Sequence, residues 1–140
     1  MNKTELKRSI SRLTRLANII MTVPDRLWNM ETFGDKPKTK CKTACCVLGH
    51  AALDKEFNKA GLKWHCKSKD TGFNIYYTKS KTHNNLYDVA TYDDAGREFF
   101  GLTDAESNKL FSDLSASPVT KVKQIARLIR SRVEALEALA

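Results

Sequence analysis

Residues 62–78 read LKWHCKSKDTGFNIYYT, and the reading of this stretch decides the fold. Leu62, Trp64 and Cys66 alternate with polar residues, Asp70, Thr71 and Gly72 follow, and the alternation resumes at Phe73, Ile75 and Tyr77. A period of two sends successive side chains to opposite faces of an extended chain, and the Asp-Thr-Gly break supplies a turn. The stretch therefore predicts an antiparallel β-hairpin. A hairpin alone is marginal in water, so a further strand over Leu86 to Ala90 and a cover of helices are expected around it.

Working toward the N-terminus, the period changes to that of a helix. Gly61 is placed to end a helix in the left-handed conformation, and Ala44, Val47, Leu48, Ala51 and Ala52 give that helix an apolar face from a Thr43 cap to about Lys59. Leu62 is expected to pack back on Phe57. Residues 24–42 carry Pro24, Gly34 and Pro37 and read as a loop whose Trp28 and Phe33 dock on the core, with a flexible basic stretch at 34–42. Before it, Leu6, Ile10, Leu13, Ala17 and Ile20 form one helical stripe, opened by an Asn2–Glu5 capping box and stopped near Val23 by Pro24.

Toward the C-terminus, Asp93 or Asp94 starts a short helix through Phe100, which Gly101 ends. Thr103 and Glu106 form a second capping box for a helix to about Leu114. Ser117 and Pro118 are a cap and first-turn pair for a last helix with Val122, Ile125, Ala126, Ile129, Val133 and Leu136 on its apolar face. The fold class is thus α+β: one mainly helical domain over residues 1–140, with about five helices and a small central hairpin or three-stranded sheet.

The formal net charge is +8. Five bases lie between Lys3 and Arg15 against Glu5, four lysines (Lys36, Lys38, Lys40, Lys42) fill the loop, and five bases lie between Lys121 and Arg132 with no acid. Between Asp88 and Glu106 the sign reverses, with six acids against Arg97. Such asymmetry permits an anionic partner at the cationic end, and Arg8, Arg12, Arg15, Lys121, Lys123, Arg127 and Arg130 join the loop lysines as candidate contact residues. Solvated helix faces would give the same pattern. No run approaches the roughly 20 apolar residues of a membrane span, and the basic residues among 7–15 break up any secretory core, so a cytoplasmic setting with reduced thiols is expected.

Cys41, Cys45, Cys46 and Cys66 invite two chemical readings. A thiolate near a helix N-terminus beside Lys40 and Lys42 is how nucleophilic cysteines are made, which nominates Cys45 or Cys41, with His50, His65 or His83 as base. The papain motif, however, has Gly and Ser before its cysteine and an aromatic after it, whereas Cys45 lies between Ala44 and Cys46. For zinc, Cys41 with Cys45 and Cys46 with His50 are each one helical turn apart, but these four together with His65 and Cys66 do not converge on a ribbon or finger spacing. No metal or cofactor is expected. A helix-turn-helix at Gly101 is disfavoured by Arg97 four residues before the glycine, by Ser107 at an apolar position, and by acidic Asp104 and Glu106.

Cys41-x-Thr43-x-Cys45 leading into Gly49-His50-Ala51, followed by Phe99-Phe100-Gly101-Leu102-Thr103 and Ser117-Pro118, resembles small uncharacterised proteins of phages and bacteria. The resemblance covers the second helix and the last third of the chain, and it implies a phage or mobile-element setting without a catalytic set. The basic insert 36–42 and Cys46 depart from it. The expected function is a non-enzymatic, phage-encoded accessory protein that binds and modulates or inhibits a host macromolecular complex through basic helix faces. The alternatives are direct DNA or RNA binding, with Trp64, Tyr76 and Tyr87 as stacking faces, and a cysteine-dependent enzyme. Oligomeric state is left open.

Overall fold

The computed structural model describes residues 1–24, 46–66, 73–80, 90–113 and 116–140. Helix α1 (Lys3–Thr22) begins where expected: Asn2 accepts from the Glu5 amide and the Glu5 carboxylate accepts from the Asn2 amide. It ends at Val23, whose extended backbone precedes Pro24. Leu6, Leu13, Leu16 and Ile20 are buried on its inner face, together with Ser9.

The helix expected over 43–59 is two helices within its described part. Helix α2 (Val47–Leu53) stops at Asp54, whose extended backbone starts α3 (Lys55–Lys59). The physical reason is a competing set of bonds. The Asp54 carboxylate accepts from the Phe57 amide at 3.1 Å and takes the Arg15 guanidinium at 2.7 and 2.9 Å, which fixes a cap in the middle of the periodic run. Gly61 follows with φ +108°, and the chain turns into the sheet.

Strands β1 (Leu62–Cys66) and β2 (Phe73–Tyr77) pair antiparallel with Trp64 opposite Ile75 and Leu62 opposite Tyr77, as the alternation requires. A third strand, β3 (Ala90–Thr91), begins at the last residue of the expected one, whose residues 86–89 lie outside the described residues, and pairs antiparallel with β2, giving the order β1-β2-β3. Helix α4 (Tyr92–Phe100) leaves β3 directly and ends at Gly101, φ +68°. Gly96 lets α4 approach its neighbours, because a Cβ there would lie 2.6 Å from the Phe111 ring and 3.0 Å from Leu48.

Helix α5 (Asp104–Ser107) carries the Thr103–Glu106 capping box in full. The regular helix expected to Leu114 instead widens into a π-helical turn, Asn108–Ser112, closed by the Asp113 amide donating to the Asn108 carbonyl at 3.0 Å. Helix α6 (Pro118–Ala138) is capped by Ser117 and packs along α1. The sheet and the helices meet in one apolar core that includes Leu13, Leu16, Leu48, Leu62, Ile75, Leu110 and Ile125. At its centre Phe57, Tyr77, Phe99 and Phe100 meet edge to face at centroid distances of 4.9–5.5 Å, each pair adding about 0.5–1.5 kcal/mol beyond burial alone. The expected flexible loop at 34–42, with Trp28 and Phe33, lies outside the described residues.

Candidate functional site

The cations nominated from the sequence divide by what they touch. Arg12 is half-buried: its Nη1 donates to the Phe99 carbonyl at 2.7 Å and its guanidinium carbon sits 3.9 Å from the centre of the Phe99 ring. Burial lowers its pKa, opposed by a hydrogen bond with Tyr77. Arg15 is held in the two-pronged pair with Asp54. Burial pushes the Asp54 carboxyl up, but Arg15 and the amides of Phe57 and Glu56 together leave it below the usual carboxylate range.

Lys121 departs furthest from expectation. Expected on a solvent-facing basic surface, it is fully buried, and its Nζ donates to the Lys109 carbonyl of the π-helical turn at 2.6 Å. Desolvation lowers its pKa, countered in part by the negative charge of Asp113. The spacing explains why. Lys121, Ile125, Leu128 and Arg132 recur at four-three-four intervals, so Lys121 and Arg132 share a helical face with the fully buried Ile125. Ala126, expected on the apolar face, is exposed.

Arg132 received no role from sequence reasoning, and it is the most connected cation in the described chain. Its Nε donates to Ser9 Oγ at 2.9 Å, its Nη2 to the Gly101 carbonyl at 2.7 Å, and its guanidinium grips both Glu106 oxygens at 2.8 and 3.1 Å. Ser9 in turn donates to the Phe100 carbonyl at 2.6 Å. One buried guanidinium thus ties α6 to α1, to the Gly101 turn and to the α5 cap. The Arg132 contact holds the Glu106 carboxyl below its ordinary pKa, against the opposing effect of burial. The same signal that placed Ile125 inside, a seven-residue step, would have found Arg132.

What stays outside is a shorter set. Arg8 on α1 and Lys123, Arg127 and Arg130 on α6 are exposed. The α6 trio continues at helical spacing into Glu134 and Glu137, also exposed, so residues 123, 127, 130, 134 and 137 form one outward stripe that is cationic along its first part and acidic along its last. The loop lysines Lys36, Lys38, Lys40 and Lys42 lie outside the described residues.

Two concavities flank these faces. A cleft of about 350 Å³ runs between α1, the end of β2 and the α4–α5 junction, with Arg8, Lys79 and Tyr77 on its walls and Phe99 and Phe100 beneath. Arg97, at its edge, is tied to Asp94 and Asp104, which raise its pKa. A smaller groove of about 250 Å³ lies between α5, the π-helical turn and α6, and Arg127 lines it together with Gln124. Gln124 is 9% exposed and its Oε1 has no hydrogen-bond partner among the described residues. Leaving a buried acceptor unpaired costs about 1–3 kcal/mol, which makes the position unusual.

Of the thiol and imidazole candidates, Cys46 and His50 lie on or beside α2, and His65 and Cys66 lie on β1. Cys46 is the N-cap of α2 and His50 sits one turn later; both are buried, and neither lines the cleft or the groove. Cys41 and Cys45 lie outside the described residues, and no group of three or more potential metal ligands occurs among the described ones. The helix-turn-helix geometry is also missing at Gly101, because α5 is a single turn that passes into the π-helical turn, with Ser107 buried. No helix among the described residues is long and apolar enough to cross a membrane. Comparison with protein-family models, with curated proteins and with solved structures gives no match.

Proposed function

We propose that this chain is a non-catalytic accessory protein that docks on an acidic face of a host protein complex and modulates or inhibits it. The observation that carries the reading is the outward stripe of α6. Lys123, Arg127 and Arg130 are exposed and free of ion pairs among the described residues, while the neighbouring cations are engaged inside the fold. Cations left in water cost nothing to keep available and steer an anionic partner into register.

The same stripe favours protein over nucleic acid as the partner. A phosphate backbone is negative along its whole length, so Glu134 and Glu137, continuing the line of Lys123, Arg127 and Arg130, would repel it. A protein surface of mixed charge can complement both parts. The setting that goes with this reading is a host cell in which the chain acts as an accessory factor.

The test is affinity capture from host lysate with the whole chain and with Arg127→Glu/Arg130→Glu. A partner retained by the wild type, weakened as salt rises and lost on charge reversal supports the reading. Retention that ignores both the reversal and the salt overturns it. A mobility shift with DNA or RNA that collapses between low and moderate salt would transfer the function to nucleic-acid binding.

A further inference from the structure

The outward stripe of α6 carries its charges in an order that the helix itself does not favour. A helix is positive at its N-terminal end and negative at its C-terminal end, so acids gain near the start and bases near the finish. On α6 the first turn holds no acid and the last turn no base; Lys123, Arg127 and Arg130 come first, and Glu134 and Glu137 close the stripe. None of these five forms an ion pair with another described residue. Arg130 and Glu134 are four apart, but with the base on the N-terminal side, the weaker order for a pair within one helix.

We infer that the stripe is a homodimer interface, in which α6 lies antiparallel to α6 of a second copy across a two-fold axis. Such an interface must be complementary to itself, residue i meeting j while j meets i. The stripe meets that condition in one register. Arg127 lies five positions before Arg132 and Glu137 five after it, while Arg130 lies two before and Glu134 two after. With the axis crossing the outer side of α6 level with position 132, Arg127 and Arg130 come level with Glu137 and Glu134 of the second copy. On either side of the axis two guanidinium groups therefore meet two carboxylates. Parallel pairing would set like charges together.

Two further features fit this register. Ala126 and Ala138, both exposed, lie six positions before and six after the same point, so small side chains face each other and let the helices approach. The antiparallel neighbour also supplies what α6 lacks, because its cations and its positive half lie beside the acids at the negative end. The overlap from Ala126 to Ala138 runs about 18 Å at 1.5 Å per residue, and exposed pairs add little each. The dimer is accordingly a weak one, with a dissociation constant on the order of 0.1–1 mM. Self-association hides the stripe at high concentration and releases it on dilution.

The experiment is sedimentation equilibrium of the full chain up to about 2 mM, in about 0.15 M salt. There the screening length of about 8 Å suppresses repulsion between two chains of net charge +8 but spares contacts of a few ångströms. The wild type should shift from monomer to dimer with concentration, and about 1 M salt should return it to monomer. Arg127→Glu/Arg130→Glu and Glu134→Arg/Glu137→Arg each make the stripe a single sign, and each should stay monomeric. The quadruple variant that combines them reverses every pair and should dimerise again, within about threefold of the wild type. An equimolar mixture of the two double variants, which restores the cross-pairs between different chains, is a second route to the same result. All four positions are exposed, so the urea midpoints should stay in place.

A wild type that remains monomeric throughout leaves the stripe to a different protein and overturns the inference. Dimerisation of either double variant overturns it too, as does failure of both the quadruple variant and the mixture to dimerise. The inference goes beyond the host-docking reading, and the two fail separately. Glu134→Arg/Glu137→Arg keeps the cations without the dimer, so a lysate partner that it still captures belongs to docking. The quadruple variant keeps the dimer without those cations and should capture none.

Discussion

The inner and outer faces of α6 carry the same residue types to opposite ends. On the inner face Lys121 and Arg132 are buried and each ends on backbone carbonyls, Lys109 for the first and Gly101 for the second. On the outer face Lys123, Arg127 and Arg130 stand in water. A base on a helix in this chain is therefore not by itself a binding residue; its phase relative to Ile125 decides whether it braces the fold or offers a contact. The lesson extends to α1, where Arg12 lies over Phe99 and reaches its carbonyl while Arg8, one turn earlier, is exposed.

The comparison breaks most visibly at Arg132. Arg132→Met keeps the hydrophobic stem but leaves Ser9, the Gly101 carbonyl and Glu106 without their common partner. We expect a loss of roughly 3–5 kcal/mol in urea unfolding, the range for breaking a buried pair by removing one member. A loss below 1 kcal/mol would mean that the network is decorative. Next in size is Gly96→Ala, a control away from charge: its Cβ would meet the Phe111 ring and Leu48, and overpacking of this kind costs about 1–3 kcal/mol by the same measurement.

The pH dependence sharpens the contrast, and its sign is the same for Glu106 and Lys121, because both have folded pKa values below their ordinary ones and stability rises with pH through each window. Glu106 has its folded pKa pulled below the ordinary 4.5, so the stabilisation it shares with Arg132 is complete above that value and is lost as pH falls through the lower folded one. Glu106→Gln should flatten this acid limb in unfolding curves taken from pH 6 downward. Lys121 has its pKa lowered from 10.5, so burying it costs most where both states hold the proton, and the chain gains stability as pH climbs through the folded value toward 10.5. Lys121→Met should abolish that alkaline gain. The smallest effect on stability belongs to the outer face, where Arg127→Glu/Arg130→Glu should leave the urea midpoint in place while removing partner retention.

Much of the architecture was legible in local pattern. The Asn2–Glu5 and Thr103–Glu106 boxes, the Ser117-Pro118 start, Gly61 and Gly101 at helix ends, and the alternation through residues 62–77 each depend on neighbours within a few positions, so the sequence displays them directly. The interruption at Asp54 was hidden because its cause, Arg15, lies 39 residues away. The candidate surface was half legible: charge density marked α1 and α6 correctly as the basic helices, but could not separate Lys121 from Lys123. Gln124 carried no signal at all, since an orphaned oxygen exists only once its surroundings are packed.

Periodicity, capping residues and glycine placement by themselves determined a mainly helical chain around a small antiparallel sheet, because those signals act through the backbone over one or two turns. Tertiary structure alone decided which cations face water, where the helix after Thr103 widens into a π-turn, and which side chain is left without a hydrogen-bond partner. The reason is that desolvation and hydrogen bonding between distant segments depend on what is brought alongside, and Arg132 meets Ser9 across 123 positions of the chain.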